Sequence, residues 1–324
     1  MHDVITIGSG TRDVFLISDQ FQMIRSAKFA TGIGECVSLG SKIEVEEIVH
    51  TTGGGATNAA VTFARLGFNA ATVCRVGDDS AGRDVIIDLQ REGIATTLVR
   101  RVEDGETGYS TLLTDANTGE RSVLVYRGVS ATFAVSDISW DECDARWYYV
   151  TSLGGNLSVA KRVITFAKGC DASVAWNPGS KELKRGLGSI QELLPEVDLF
   201  MVNREEAIAL TGRGEIEGIF QRLLTANNVV IVTDGEKGAY AGRGGKVWFA
   251  GTTGRKAVSR TGAGDAFGSA FVASYMQKKD VPAALAVATL NADSVIRAVG
   301  AKAGILKSWP TAAQIKKIAV RKLS

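Results

Sequence analysis

Short runs of β-branched and aromatic residues alternate with helical patterns that stop at glycine, and this rhythm restricts the chain to few architectures. The apolar runs cover residues 4–7, 72–76, 147–151, 173–176, 199–202 and 229–233. Residues 56–66 carry Ala60, Phe63 and Ala64 at helical spacing and stop at Gly67; residues 81–92 stop at Gly93 and residues 205–210 near Gly212. Glycine is favoured just past a helix because it adopts the left-handed backbone that closes the last turn. The alternation predicts an α/β fold with a mainly parallel sheet flanked by helices on both faces.

Two insertions break the rhythm, at about 14–52 and 105–128. Polar and apolar residues alternate there around turn signals such as Thr31-Gly32-Ile33-Gly34 and Asp115-Ala116-Asn117-Thr118-Gly119, a pattern that predicts antiparallel hairpins. They would form a small sheet beside the main body. Its uses could be a lid, a dimer contact or surface ornament. No linker or repeat divides the rest, so residues 1–324 are read as one domain.

Composition excludes several partners. The 37 Lys and Arg against 35 Asp and Glu leave a formal charge of +2, with no long basic run, which does not fit a nucleic-acid footprint. Cys36, Cys74, Cys143 and Cys170 form no C-x-x-C pair and read as reduced thiols. The N-terminus runs straight into a strand-like segment, and no apolar run is long enough for a bilayer. A cytoplasmic location is the expectation.

Chemistry is concentrated in four places. Thr261-Gly262-Ala263-Gly264-Asp265 opens a helix whose buried face is marked by Ala266, Phe267, Ala270, Phe271, Ser274 and Tyr275. Small residues and the positive helix end suit an anion, with Asp265 in the first turn as a carboxylate base. A capped helix start fits the same residues equally well. Gly53-Gly54-Gly55-Ala56-Thr57-Asn58 precedes another helix and would let a ligand approach backbone, or serve as a hinge. Thr233-Asp234-Gly235-Glu236-Lys237-Gly238 follows an apolar strand, where a nucleotide can rest in an open α/β sheet. Asn203-Arg204-Glu205-Glu206 also follows a strand; Asn203 and Glu206 could hold a hydrated Mg²⁺ or cap a helix.

Absences narrow the field further. There is no G-x-x-x-x-G-K-[ST] loop, no complete dinucleotide fingerprint at Gly8-Ser9-Gly10-Thr11-Arg12-Asp13 and no G-x-S-x-G elbow. The histidines are His2 and His50, so a carboxylate is the better candidate base.

Taken in order along nearly the whole chain, the four motifs resemble those of the PfkB or ribokinase-like carbohydrate kinases. The resemblance implies a ribokinase-like α/β body, a β lid over the acceptor and transfer of the ATP γ-phosphoryl group to a hydroxyl. Asp265 is then the implied base, and Gly262, Ala263 and Gly264 the anion hole. Asn203 and Glu206 would organise Mg²⁺ and phosphates, with Glu206 reaching the metal through water. Thr233, Gly235 and Gly238 would line the ATP cleft, and Asn291 would border the adenine. Asp13, Gly54, Gly55 and Asn58 would bind sugar hydroxyls, and Arg127 would reach an acidic acceptor from the lid side.

The acceptor class implied is a ribose-like, fructose-like or sugar-acid compound. A nucleoside kinase of the same fold is the alternative, and a sugar-binding protein without activity is the alternative of another class. Homodimerisation through lid edges is a further expectation. Many relatives open the last motif with Asp-Thr-Thr, whereas this chain has Ser259-Arg260-Thr261; the lost carboxylate leaves K⁺ activation open.

Overall fold

The computed structural model describes residues 1–29 and 31–323; Ala30, inside the first expected lid insertion, and Ser324 lie outside them. The first part of the chain contains β1 (His2–Ser9), β2 (Thr11–Ser18), β3 (Gln22–Arg25), β4 (Ile33–Cys36), β5 (Glu47–Gly53), α1 (Gly55–Arg65), β6 (Ala70–Gly77), α2 (Ser80–Arg91) and β7 (Arg100–Val102). Next come β8 (Gly108–Asp115), β9 (Arg121–Tyr126), β10 (Ala145–Val150), α3 (Leu157–Gly169), β11 (Ser173–Trp176), α4 (Ser180–Leu183) and α5 (Leu187–Gln191). Then follow β12 (Leu199–Asn203), α6 (Arg204–Thr211), α7 (Ile216–Leu223), β13 (Val229–Thr233), β14 (Ala239–Arg243) and β15 (Lys246–Ala250). The chain ends with α8 (Ala263–Lys278), α9 (Val281–Val295), α10 (Ala312–Lys316) and β16 (Val320–Lys322).

The main sheet has ten strands in the order β16-β15-β14-β13-β12-β11-β10-β1-β6-β7. From β7 to β13 every pairing is parallel, and β14 to β16 add an antiparallel edge. Its central strands are apolar on both faces because helices cover both. Phe200 and Val202 of β12 pack with Ile164 and Ile219 on one side, while Leu199 and Met201 pack with Phe63 and Phe271 on the other. The α/β architecture with a mostly parallel sheet is thus present as the alternation predicts. Among the described residues no helix is long and apolar enough to cross a membrane.

A second sheet of four strands, ordered β5-β2-β8-β9, is built from the two insertions expected to form a lid. The β2–β5 and β8–β9 pairs are antiparallel, but β2 and β8 join them in parallel, which the expectation of hairpins alone did not include. The physical reason is length: β2 and β8 are separated by the whole α1-β6-α2-β7 unit, and such a crossover permits parallel pairing. The β3–β4 hairpin stands apart as its own two-stranded sheet. Both segments of this sheet leave the main body where the carboxyl ends of the parallel strands open.

Candidate active site

The first-turn N–H groups of a helix lack intrahelical partners. At α8 no side chain caps them, and Gly262 takes the N-cap position with φ 79°. A Cβ on Gly262 would also stand 2.4 Å from the Ala301 Cβ, so the left-handed turn and the close packing both demand glycine. A Cβ on Gly264 would meet nothing within 4 Å, because that residue faces open space on the wall of two cavities. The uncapped positive end of α8 is therefore presented where the cavities meet.

Asp265 is the third residue of this helix and lines the second cavity, of about 290 Å³. Its Oδ2 accepts a hydrogen bond from Asn58 Nδ2 at 2.8 Å. Burial pushes its carboxyl above the usual range; the Asn58 bond opposes that rise, and the nearby Asp13 charge adds to it. Asn58 lies on α1, is almost fully buried, and its Oδ1 has no partner among the described residues. One amide thus holds the carboxylate with its donor and keeps an acceptor for a ligand hydroxyl.

The glycines before α1 serve the protein as much as a ligand. A Cβ on Gly54, at φ 98°, would lie 2.4 Å from the Ser9 carbonyl oxygen, so this glycine is required for two chain segments to touch. Gly55 donates its N–H to Ser9 Oγ at 3.1 Å and lines the second cavity. Asp13 stands beside them on β2, six per cent exposed, accepting from the Thr11 hydroxyl at 3.1 Å. Desolvation raises its pKa too. Asp13, Gly54, Gly55, Asn58 and Asp265 therefore come together from one strand, the N-cap of α1 and two helices.

The first cavity, of about 310 Å³, contains Thr233, Gly235, Gly238, Ala263 and Gly264 in its walls. Thr233 and Gly264 border both cavities, making one continuous trough. Asn203 and Glu206 line the second cavity and also cap α6 reciprocally: Glu206 N–H donates to Asn203 Oδ1 at 2.8 Å, and Asn203 N–H donates to Glu206 Oε2 at 2.9 Å. The capping reading holds, and the same pair faces the second cavity. Burial raises the Glu206 carboxyl, and the Asn203 N–H opposes that rise.

Two expected residues lie elsewhere. Asn291 is wholly buried, donating to the Ala266 carbonyl at 2.8 Å and accepting from Leu306 N–H at 3.0 Å, so it locks α9 to α8 and does not line the cleft. The α9 face that reaches the cavity is Thr289, Ala292, Asp293 and Ile296. Their i, i+3, i+4, i+7 spacing was available in the sequence. Arg127 is exposed beyond the end of β9. The arginine on the Asp13 side of the lid is Arg121: Asp13 pairs with Ser110, and Ile17, Thr114 and Arg121 align across the same face two residue pairs further along. Arg121 is half-buried, and its Nε has no partner among the described residues. Desolvation lowers its pKa, as does the nearby Arg260. Asn177, at the carboxyl end of β11, was also missed; it lines the second cavity and donates to the Met201 carbonyl at 2.9 Å.

A trough with a helix N-terminus and a buried carboxylate on its wall, in an α/β body that carries a second small β sheet, agrees with what the chain matches by comparison. The model of the pfkB family of carbohydrate kinases covers residues 5–308. The chain belongs to that family. A sugar kinase of Archaeoglobus fulgidus is 30% identical over 254 residues, covering 76% of this chain and 98% of the relative. Among solved structures, the nucleoside kinase of Methanocaldococcus jannaschii superposes with TM-score 0.75 at 20% identity, covering 97% of this chain and 98% of that one. The ribokinase of Cryptococcus neoformans var. grubii, solved with ADP, superposes with TM-score 0.72 at 22% identity, covering 98% and 99%. These likenesses identify a carbohydrate kinase of the ribokinase fold.

Proposed function

We propose that this kinase transfers the γ-phosphoryl group of ATP to a hydroxyl, in the first place a primary one, of a ribose-like, fructose-like or sugar-acid acceptor. The observation that carries the reading is the place of Asp265. It is a buried carboxylate in the first turn of an uncapped helix, on the wall of one cavity and next to Gly264, which borders both. Asp265 accepts the proton of the acceptor hydroxyl at its free carboxylate oxygen. Its raised pKa makes the ionised form a stronger base than an exposed carboxylate.

The backbone N–H groups at Gly262, Ala263 and Gly264 stabilise the spread negative charge of the transferring group. Thr233, Gly235, Gly238 and the Thr289 face of α9 hold the nucleotide. Asp13, Asn58 and the Gly54-Gly55 backbone hold the acceptor, and lid closure excludes water from the trough. Asn203, Glu206 and Asn177 offer oxygen donors with a single carboxylate, a set suited to an ion that keeps much of its water. Glu206 would hold Mg²⁺ in this way, and the ion would supply neutralisation of phosphate charge.

The test is Asp265→Asn. Turnover is expected to fall by about 10²- to 10⁴-fold with both substrates still binding; unchanged turnover would remove Asp265 from the role of base. Pentoses, hexoses, sugar acids, sugar phosphates and nucleosides, assayed for ADP release with and without K⁺, identify the acceptor. A nucleoside as best acceptor would favour the reading suggested by the M. jannaschii likeness. We further propose a homodimer through the lid, supported by exposed Ile48, Leu124 and Tyr126 on its outer face. Monomeric sedimentation at working concentration would reject it.

A further inference from the structure

After α9 the chain turns back past the root of the lid and places a buried lysine there. Lys302, eight per cent exposed, extends Nζ to 2.7 Å from Thr52 Oγ1 and 2.9 Å from Asp88 Oδ2. Thr52 also donates to Asp88. The Lys302 carbonyl accepts from Arg65 of α1 at 3.0 Å, and Arg65 in turn grips Glu92 with two N–H groups. Three elements, α1, α2 and β5, thus fix the lysine.

Asp13 stands on the other side of the same strand. It pairs with Thr51 across β2 and β5, and a Cβ on Gly53 would lie 2.0 Å from its Oδ2. Thr52 turns to the opposite face by the two-residue period of a strand. Cation and carboxylate therefore flank the backbone of Thr52 and Gly53. The direct partners of Asp13 are the hydroxyls of Thr11 and Ser110, neither of them charged. The charged groups facing it are Lys302, Asp265, and Arg12, which is already paired with Asp84 at 2.9 Å. Lys302 faces Asp88, Asp13 and the Cys74 thiol, which burial pushes up to about 12 and so keeps neutral.

We infer that Lys302 is a positioning residue for the acceptor: it pins the lid root at Thr52 and supplies, across the strand, positive charge that favours the carboxylate form of Asp13 for sugar hydroxyls. A buried carboxylate with only hydroxyl partners beside a second carboxylate, Asp265, would otherwise protonate readily. Burial drives the Asp13 carboxyl upward, and Lys302 opposes that rise. The inference rests on Asp13 being the sugar ligand.

Two variants separate charge from tether. Lys302→Gln keeps a donor for Thr52 and Asp88 but deletes the charge, whereas Thr52→Val deletes the tether and keeps the charge. The Asp13 carboxyl is followed by ¹³C NMR in the free protein, its resonance assigned with Asp13→Asn. Its midpoint should rise by roughly one pH unit in Lys302→Gln and stay in place in Thr52→Val. With D-ribose and ATP as probes, the acid limb of kcat/KM for ribose should move to higher pH in step, with KM for ATP unchanged. An unmoved Asp13 midpoint in folded Lys302→Gln overturns the inference. If that variant does not fold, Lys302→Gln with Asp88→Asn leaves no unpaired charge and carries the same expectation and the same refutation. A wild-type protein that phosphorylates no sugar sinks the kinase reading alone, because the carboxyl titration still decides the role of Lys302.

Discussion

The two halves of the trough are made of different materials. The half proposed for the nucleotide is lined by Thr233, Gly235, Gly238, Ala263 and one face of α9, with the charged Glu236, Arg255, Arg260 and Asp293 also in its wall. The acceptor half gathers the buried carboxyls of Asp13 and Asp265 around Asn58, with a lysine behind them. Backbone donors do not titrate and are insensitive to most substitutions. Buried carboxylates cost stability when ionised and respond to pH and to each other. Nucleotide binding should therefore depend less on pH than acceptor binding, which relies on the paired buried carboxyls.

The largest expected break in that contrast is Asp265→Asn, whose loss of turnover should come with a gain in stability. Because the folded pKa of Asp265 is raised, its ionised form is disfavoured in the folded state. The neutral amide should raise Tm near pH 7, and the gain should vanish as pH falls through the raised carboxyl range and wild-type Asp265 protonates. Thermal melts from pH 4 to 8 check the sign; a lower Tm at pH 7 would contradict it. Wild-type turnover should fall on the acid side at a pH above the usual carboxylate range.

Gly262→Ala tests the nucleotide half where backbone alone matters. A Cβ at φ 79°, 2.4 Å from Ala301, combines left-handed strain with overpacking and should cost about 2–4 kcal/mol. Tm should drop by several degrees, and the displaced N–H groups should lower kcat. Unaltered Tm and kcat would show that the turn can relax.

A sharper comparison sets Asp13→Asn against Thr289→Val. The first should raise KM for the acceptor by about 10- to 100-fold, the worth of hydrogen bonds to a charged group, and leave KM for ATP alone. The second should raise KM for ATP by only about 2- to 5-fold and spare the acceptor, since it removes one uncharged hydroxyl. Equal effects on both substrates from either variant would mean that the halves are coupled through the lid.

What the sequence revealed follows the same division. Strand ends and glycine turns carry local signatures, so β12, β13 and the start of α8 fall where periodicity and turn chemistry place them. Asn291 misled because an amide on a helix advertises hydrogen bonding without saying which way it faces; on α9 it points into the α8 contact, and Thr289 and Asp293 point outward to the cleft. The partnership of Lys302 with Thr52 spans 250 residues, beyond any local pattern. The parallel join of β2 to β8 also depends on a crossover that hairpin signals do not report.

The lid arginines provide the smallest and most discriminating prediction. Arg127 lies past the end of β9 in solvent, whereas Arg121 belongs to the face that carries Asp13. A half-buried guanidinium with an unfilled Nε and a second arginine nearby gains most when an anion arrives. Arg121→Ala should therefore raise KM for whichever substrate brings negative charge beneath the lid by about tenfold. Arg127→Ala should change either KM by less than about twofold, as expected of an exposed charge. If the rise for Arg121→Ala falls on ATP, the lid reaches across both halves of the trough; if it falls on the acceptor, an acidic or phosphorylated sugar is selected. The reverse ranking of the two variants would mean that the lid turns a different face to the cleft in turnover.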